Sequence, residues 1–326
     1  MSTGRPPRSL AISGLGSYVG GQMALRLLEG PSPPRIVGLD LSVPKALEGR
    51  LRFHRVDLTG PTADSVLAEL LEKERCDALL HAAFFTDPHP DREYAHELEV
   101  IGSLNVMNAS AAAGVSKLVV ASTAQVYGPH PDNPNFLSER HALRAHPDAH
   151  AIRDRAEMEQ LLRTFATRHP SISVVSLRPC WVMGPSYTSS VTRHFESARV
   201  TTLLGYDPLM QFLHEEDLLD AVGLALTREV AGPFNLAGDG LLPLSTLIQL
   251  AGKRTRPLPH PLLYRLGYLA TVARTGDPPA AFYDYLRFGW VVDTERAKQE
   301  LGFRPGYTTR EAWMSCVVER RLKSYR

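Results

Sequence analysis

The turn Gly14-Leu15-Gly16-Ser17-Tyr18-Val19-Gly20-Gly21 joins a short apolar run, residues 9–13, to a stretch with helical spacing. Glycines there leave backbone N–H groups bare at a helix N-terminus, where the helix dipole adds positive charge. The chemistry on offer is capture of an anion such as a pyrophosphate. Gly14 suits the tight turn, and Gly20 or Gly21 suits close helix packing. The middle position is ambiguous between Gly16 and Ser17, because neither spacing matches G-x-G-x-x-G; a plain strand-to-helix loop is the other reading. The next apolar run ends in Asp40. A carboxylate there can accept from both ribose hydroxyls of an adenosine and repels a 2′-phosphate, which points to NAD over NADP. Asp57 and Leu58, just past a third run, are placed to reach the adenine.

These groups need a scaffold, and the first half of the chain supplies its pattern. Apolar runs at 9–13, 35–39, 51–56, 78–81, 117–121 and 173–177 alternate with helical spacing at 20–29, 63–73, 95–113 and 153–168. That is the rhythm of parallel strand-helix-strand units, and it predicts an α/β fold: a doubly wound parallel sheet with a smaller C-terminal substrate domain. The division is expected at 1–178 for the dinucleotide-binding part and 179–326 mainly for substrate. Short returns to the sheet are expected near 206–237. The chain of 326 residues has 36 Lys+Arg against 35 Asp+Glu, so no global basic field exists to hold nucleic acid or an anionic membrane. Three scattered cysteines, Cys76, Cys180 and Cys316, lack disulfide or zinc spacing and suit a cytoplasmic location. The N-terminal stretch does not read as a signal peptide. The most apolar late run, 261–273, contains Arg265 and falls short of the roughly 20 residues of a bilayer span. The expected partner is a small-molecule substrate; a homodimer is compatible with the sequence.

Further motifs carry a resemblance. His81-Ala82-Ala83, Val100-Ile101-Gly102-Ser103-Leu104-Asn105-Val106, Ala121-Ser122-Thr123-Ala124-Gln125-Val126-Tyr127-Gly128 and Leu177-Arg178-Pro179 with Gly184-Pro185 follow in order. Phe212-Leu213-His214-Glu215-Glu216-Asp217 and Asp293-Thr294 with Glu300-Leu301-Gly302-Phe303 complete the series. The chain thereby resembles an extended, atypical short-chain dehydrogenase/reductase of the NAD-dependent epimerase/dehydratase family, of the UDP-glucose 4-epimerase type. The resemblance implies a Rossmann domain, NAD as cofactor, and Thr123 as the hydroxyl that bonds the reacting oxygen. With the residues above, it implies cofactor contacts at Gly14, Gly16, Ser17, Tyr18, Gly20, Asp40, Asp57, Leu58, Ala82, Ala83, Ser122, Arg155, Arg178 and Pro179. His81 matches a strand-end packing position, and His214 and Asp217 match scaffold positions.

The chain also departs from that family. The family's Y-x-x-x-K places a tyrosine acid/base one helical turn before a lysine that lowers its pKa. Aligning Glu159 with the family's glutamate puts Arg155 at the lysine and Ala151 at the tyrosine. A guanidinium does not exchange with an ammonium here, and alanine moves no proton. His150 and Tyr127 are the candidate substitutes; each also has a non-catalytic reading, as a solvated or a packed residue. The family's N-V-x-G-T asparagine has become Glu99, Trp181 stands where epimerases place a diphosphate-touching asparagine, and Tyr283-Asp284-Tyr285-Leu286 replaces R-x-x-D, with an arginine only at Arg287. The aromatic-rich segment 258–290 would suit a more apolar ligand, or it is simply core. His141, His146 and His150 carry no carboxylate framework, and no metal is expected. The expected function is redox chemistry at a carbinol carbon of a sugar-like, even nucleotide-sugar, substrate. The alternatives are a non-catalytic NAD(H)-binding structural or sensing protein and a hydroxysteroid-dehydrogenase-like reductase of an apolar substrate.

Overall fold

Alternation along each strand decides which layer it holds. In β1 (Ser9–Ser13), Leu10 and Ile12 join one apolar cluster and Ala11 joins another, one on each face of a single sheet. The computed structural model describes residues 6–272 and 280–323. After β1 come α1 (Tyr18–Leu28), β2 (Arg35–Asp40), β3 (Arg52–Arg55), α2 (Ala63–Lys73), β4 (Ala78–His81) and α3 (Arg92–His96). A π turn, Glu97–Ile101, leads into α4 (Gly102–Ala112), followed by β5 (Lys117–Ala121), a 3₁₀ turn at Ala124–Tyr127, α5 (His150–Arg168) and β6 (Ser173–Pro179).

The second half contributes β7 (Trp181–Met183), α6 (Ser190–Glu196), β8 (Arg199–Leu203), β9 (Leu209–Met210), β10 (Phe212–His214) and α7 (Glu215–Thr227). It continues with β11 (Gly232–Leu236), β12 (Leu242–Pro243), α8 (Leu244–Leu250), β13 (Arg254–Leu258), α9 (His260–Val272), α10 (Ala280–Tyr285) and α11 (Thr309–Lys323). Part of the aromatic-rich segment, 273–279, lies outside the described residues.

The large sheet is parallel, in the order β11-β6-β5-β4-β1-β2-β3. The α/β doubly wound reading therefore holds. Helices α2, α4 and α5 cover one face, and α1 and α7 cover the other. The order reverses between β1 and β4, the point where open α/β sheets bind ligands. Of the segment 206–237, only β11 joins this sheet; β9 pairs with β12 and β10 with β7 in the smaller part.

His81 closes β4 and is wholly buried, its Nδ1 2.7 Å from the Ser13 hydroxyl and its Nε2 2.8 Å from the Ser103 hydroxyl. Burial, helped by the Arg155 charge, lowers its pKa from 6.5 to about 3. The unfolded chain thus takes up a proton that the folded chain refuses, so this residue's contribution to stability falls as pH drops from about 6.5 toward 3. We expect His81→Gln to flatten the acid slope of folding free energy by about 1.4 kcal/mol per pH unit between about pH 6 and pH 4. Urea titrations across that range measure it, and parallel slopes for the two proteins would refute it.

Candidate active site

Three glycines in the turn, Gly14, Gly20 and Gly21, have no room for a side chain; a Cβ on Gly21 would lie 2.8 Å from the Leu15 carbonyl oxygen. A Cβ on Gly14, whose φ is +82°, would lie 2.4 Å from the Ala83 nitrogen, and one on Gly20 would lie 2.2 Å from the Gly14 carbonyl oxygen. A Cβ on Gly16 would meet only Asp40 Oδ2, at 3.7 Å. The tight positions are therefore 14, 20 and 21, with Ser17 midway between the first two. Ser17 caps α1: its hydroxyl donates to the Gly14 carbonyl at 2.8 Å and accepts from the Gly20 N–H at 3.1 Å. The cap leaves the first-turn amides of α1 facing the sheet's switch point, where Ser17, Tyr18 and Val19 line a cavity.

Asp40 ends β2 with Oδ2 accepting from the Gly16 N–H at 2.9 Å, which fixes the carboxylate against the glycine turn. Asp57 is exposed and takes both the N–H and the hydroxyl of Thr59, while Leu58 is buried and its carbonyl accepts from Asn105. Asp40, Asp57 and Leu58 lie outside the lining of the cavity, along the ends of β2 and β3.

The cavity itself is about 1510 Å³. From the end of β4 it takes Ala82, from β5 it takes Ser122 and Thr123, from α5 it takes His150, Ala151 and Arg155, and from β6 it takes Pro179. Ala83 sits under Gly14. The Thr123 hydroxyl accepts from the Gln125 N–H at 3.2 Å and keeps its own proton to donate. The Ser122 hydroxyl is buried with no partner among the described residues. An orphaned hydroxyl beside a cradle that excludes Cβ atoms is what a dinucleotide's ribose and phosphates would satisfy, so the residues fit NAD.

Arg155 does not project freely into this space. Its Nε donates to Glu99 Oε2 at 3.0 Å, its Nη2 to the Phe85 carbonyl at 3.1 Å, and its Nη1 to the Ala121 carbonyl at 3.4 Å. The guanidinium lies 4.0 Å from the centroid of Phe84. Glu99, fully buried, also accepts from the Phe85 N–H at 2.9 Å. The two departures at Glu99 and Arg155 are thus one ion pair, and sequence reasoning treated them separately.

Two candidates are placed elsewhere. Tyr127 is buried outside the cavity; its hydroxyl donates to Asn235 Oδ1 at 2.8 Å and accepts from Arg178 Nη1 at 2.7 Å. Burial pushes its phenol up to about 12, and it does not line the cavity. Arg178 is spent on the same network, with Nε 2.8 Å from Glu159 Oε1, and its side chain does not line the cavity. His150 is exposed at the mouth, its Nε2 2.9 Å from Arg92, and burial together with the charges of Arg92 and Arg153 lowers its pKa. The histidines at 141, 146 and 150 diverge: His141 bonds Ser138, His146 bonds Asp284, and His150 bonds Arg92.

Sequence reasoning missed Tyr187, which enters the cavity after β7 and packs edge-on to Tyr18 with centroids 5.0 Å apart. Only its position two residues beyond Gly184-Pro185 could have flagged it. Burial and the Asp87 charge raise its pKa to about 12.

Residues 10–237 match the NAD dependent epimerase/dehydratase family. The chain belongs to that family. It is 30% identical over 314 residues to an uncharacterized protein of Mycobacterium tuberculosis, covering 94% of this chain and 82% of that one. It is 24% identical over 329 residues to the UDP-glucose 4-epimerase of Corynebacterium glutamicum, covering 92% and 91%. The fold superposes on dTDP-glucose 4,6-dehydratase of Bacillus anthracis, solved in complex with NAD, with a TM-score of 0.72, 15% identity and 97% coverage of each chain. NAD is the cofactor of this family, and the glycine turn, Asp40 and Ser122 are the residues that would hold it here.

Because the Asp40 carboxylate would face the ribose hydroxyls, NAD(H) should bind at least tenfold more tightly than NADP(H), about 1.4 kcal/mol. Asp40→Ala should erase the preference. Calorimetric titration of both proteins with both cofactors checks this, and equal affinities in the wild type would overturn the role of Asp40.

Proposed function

We propose that this protein is an NAD-dependent oxidoreductase of the epimerase/dehydratase type, acting at the carbinol carbon of a small ring substrate without the family's usual tyrosine. The observation that carries this reading is the convergence, in one cavity at the sheet's switch point, of the α1 N-terminus with Thr123, Ser122 and Arg155. Bound there, NAD supplies a hydride acceptor beside the substrate carbon. With NAD there to take up the C–H hydride of an alcohol, the chain's own groups would have only the O–H proton to remove, leaving a carbonyl.

Thr123 donates a hydrogen bond to the reacting oxygen and so favours the build-up of negative charge on it. Arg155 keeps its charge through the whole cycle and, held by Glu99 and the Phe85 and Ala121 carbonyls, passes no proton. Ala151 contributes only a methyl group where the family has a phenol. The base to test is His150, the first residue of α5, whose pKa is lowered by burial and by the Arg92 and Arg153 charges and whose Nε2 must release the Arg92 guanidinium before it takes the proton.

As a base, His150 is competent only when unprotonated, so activity should fall as pH drops through its lowered pKa. His150→Asn should abolish that acid limb in a kcat/KM profile followed at the NADH band; an unchanged limb would remove His150 from the mechanism.

Restoring the family's site requires three changes, because a lysine at 155 would face Glu99. Ala151→Tyr with Arg155→Lys and Glu99→Asn should raise kcat/KM toward a simple secondary alcohol by about 10²-fold, the ordinary worth of a placed acid/base. A folded, NAD-binding triple variant with no gain, beside a wild type with no turnover of any alcohol, would favour the reading of a non-catalytic NAD(H)-binding protein.

A further inference from the structure

One buried carboxylate holds two walls of the cavity together. Glu215 opens α7 and is only 3% exposed, yet it has no cationic partner among the described residues. Backbone and phenol donors serve it instead. The Ser186 N–H lies 3.1 Å from each of its oxygens, and the Tyr187 N–H lies 2.5 Å from Oε2. The Tyr18 side chain hydrogen-bonds to the same group, and burial together with the Glu215 charge raises the Tyr18 pKa, so the phenol keeps its proton and donates. Gly184 leaves room for the carboxylate: a Cβ there would lie 2.3 Å from Glu215 Cδ.

The donors come from different parts of the site. Tyr18 is the first residue of α1, whose N-terminal amides would take the NAD pyrophosphate, and it lines the cavity. Tyr187 lines the cavity from the loop after β7 and packs edge-on against Tyr18. Its phenol bonds the Thr86 side chain and lies within the fields of Asp87 and Arg155. Arg155 in turn donates to the Ala121 carbonyl, one residue before Ser122-Thr123. A carboxylate buried without a cation is stable only while its donors stay in place. A ligand that holds Tyr18 therefore also favours the ordered form of residues 184–187.

We propose that Glu215 is a positioning residue that couples the cofactor end of the cavity to the loop carrying Tyr187: Tyr18, once held by a pyrophosphate bound at the start of α1, orders residues 184–187 through Glu215 and so keeps the Tyr187 phenol in the cavity for a substrate oxygen. The coupling requires dinucleotide binding but no turnover, so it stands or falls apart from the redox reading.

The test is amide hydrogen exchange of the full chain, free and saturated with ADP-ribose, which carries the pyrophosphate but no nicotinamide to touch the loop directly. ADP-ribose should slow exchange of the 184–190 amides at least about fivefold. Tyr18→Phe keeps the ring and leaves the bonds between Glu215 and the loop in place. It should abolish that slowing and, because coupling is reciprocal, weaken ADP-ribose by the same factor in a calorimetric titration. Glu215→Leu should speed exchange of the loop in the free protein and also remove the effect of the ligand. If Glu215 were merely structural, Tyr18→Phe would leave the ADP-ribose effect intact, and that result overturns the proposal. No slowing by ADP-ribose in the wild type overturns it too, even if NAD⁺ slows the loop, since the nicotinamide would then be acting by direct contact. Unaltered loop exchange in a folded Glu215→Leu likewise overturns it; if that variant does not fold, Tyr18→Phe decides alone.

Discussion

The Glu99 carboxylate and the Arg155 guanidinium are buried together where four segments meet: the π turn before α4, the loop after β4, the end of β5 and the inner face of α5. Taking two charges out of water costs more than their attraction returns unless their remaining hydrogen bonds are met. Here Phe85 supplies an N–H to the acid and a carbonyl to the base, Ala121 supplies a second carbonyl, and Phe84 covers the guanidinium face. Removing one partner alone would strand a buried charge, at about 3–5 kcal/mol. The pair thus sets the positions of the loop and helix that border the cavity.

The same pairing limits the chemistry. A lysine one turn after a tyrosine works by tuning that tyrosine, but Arg155 has no tyrosine before it and its donors face Glu99 and backbone carbonyls. A second buried network, Glu159 with Arg178, Tyr127 and Asn235, lies behind the cavity and joins α5, β6, the 3₁₀ turn and β11. It consumes the one tyrosine that the V-Y-G motif offers.

Much of this was legible in the chain. The period-two apolar runs and the helical spacings between them specify the strands and helices of the sheet, because each pattern reports one face of a local element. The glycine turn and Asp40 were legible for the same reason: their demands are local, a backbone with no room for Cβ and a carboxylate at a strand end. That alanine stands at 151, one helical turn before Arg155, is likewise a matter of residue identity.

What the tertiary structure decided were the long-range pairings. That Ser17 rather than Gly16 stitches the turn depends on hydroxyl geometry, and that Tyr127 and Arg178 face each other rather than the cavity depends on how β5, β6 and β11 stack. Glu99 and Arg155 read as two isolated departures in sequence. Folding makes them one interaction across 56 positions of chain, because parallel strands bring α5 beside the π turn before α4. Local patterns depend on neighbours a few residues away and can be read from order alone; a buried charge is specified by its partner, and partners are chosen only when the sheet assembles.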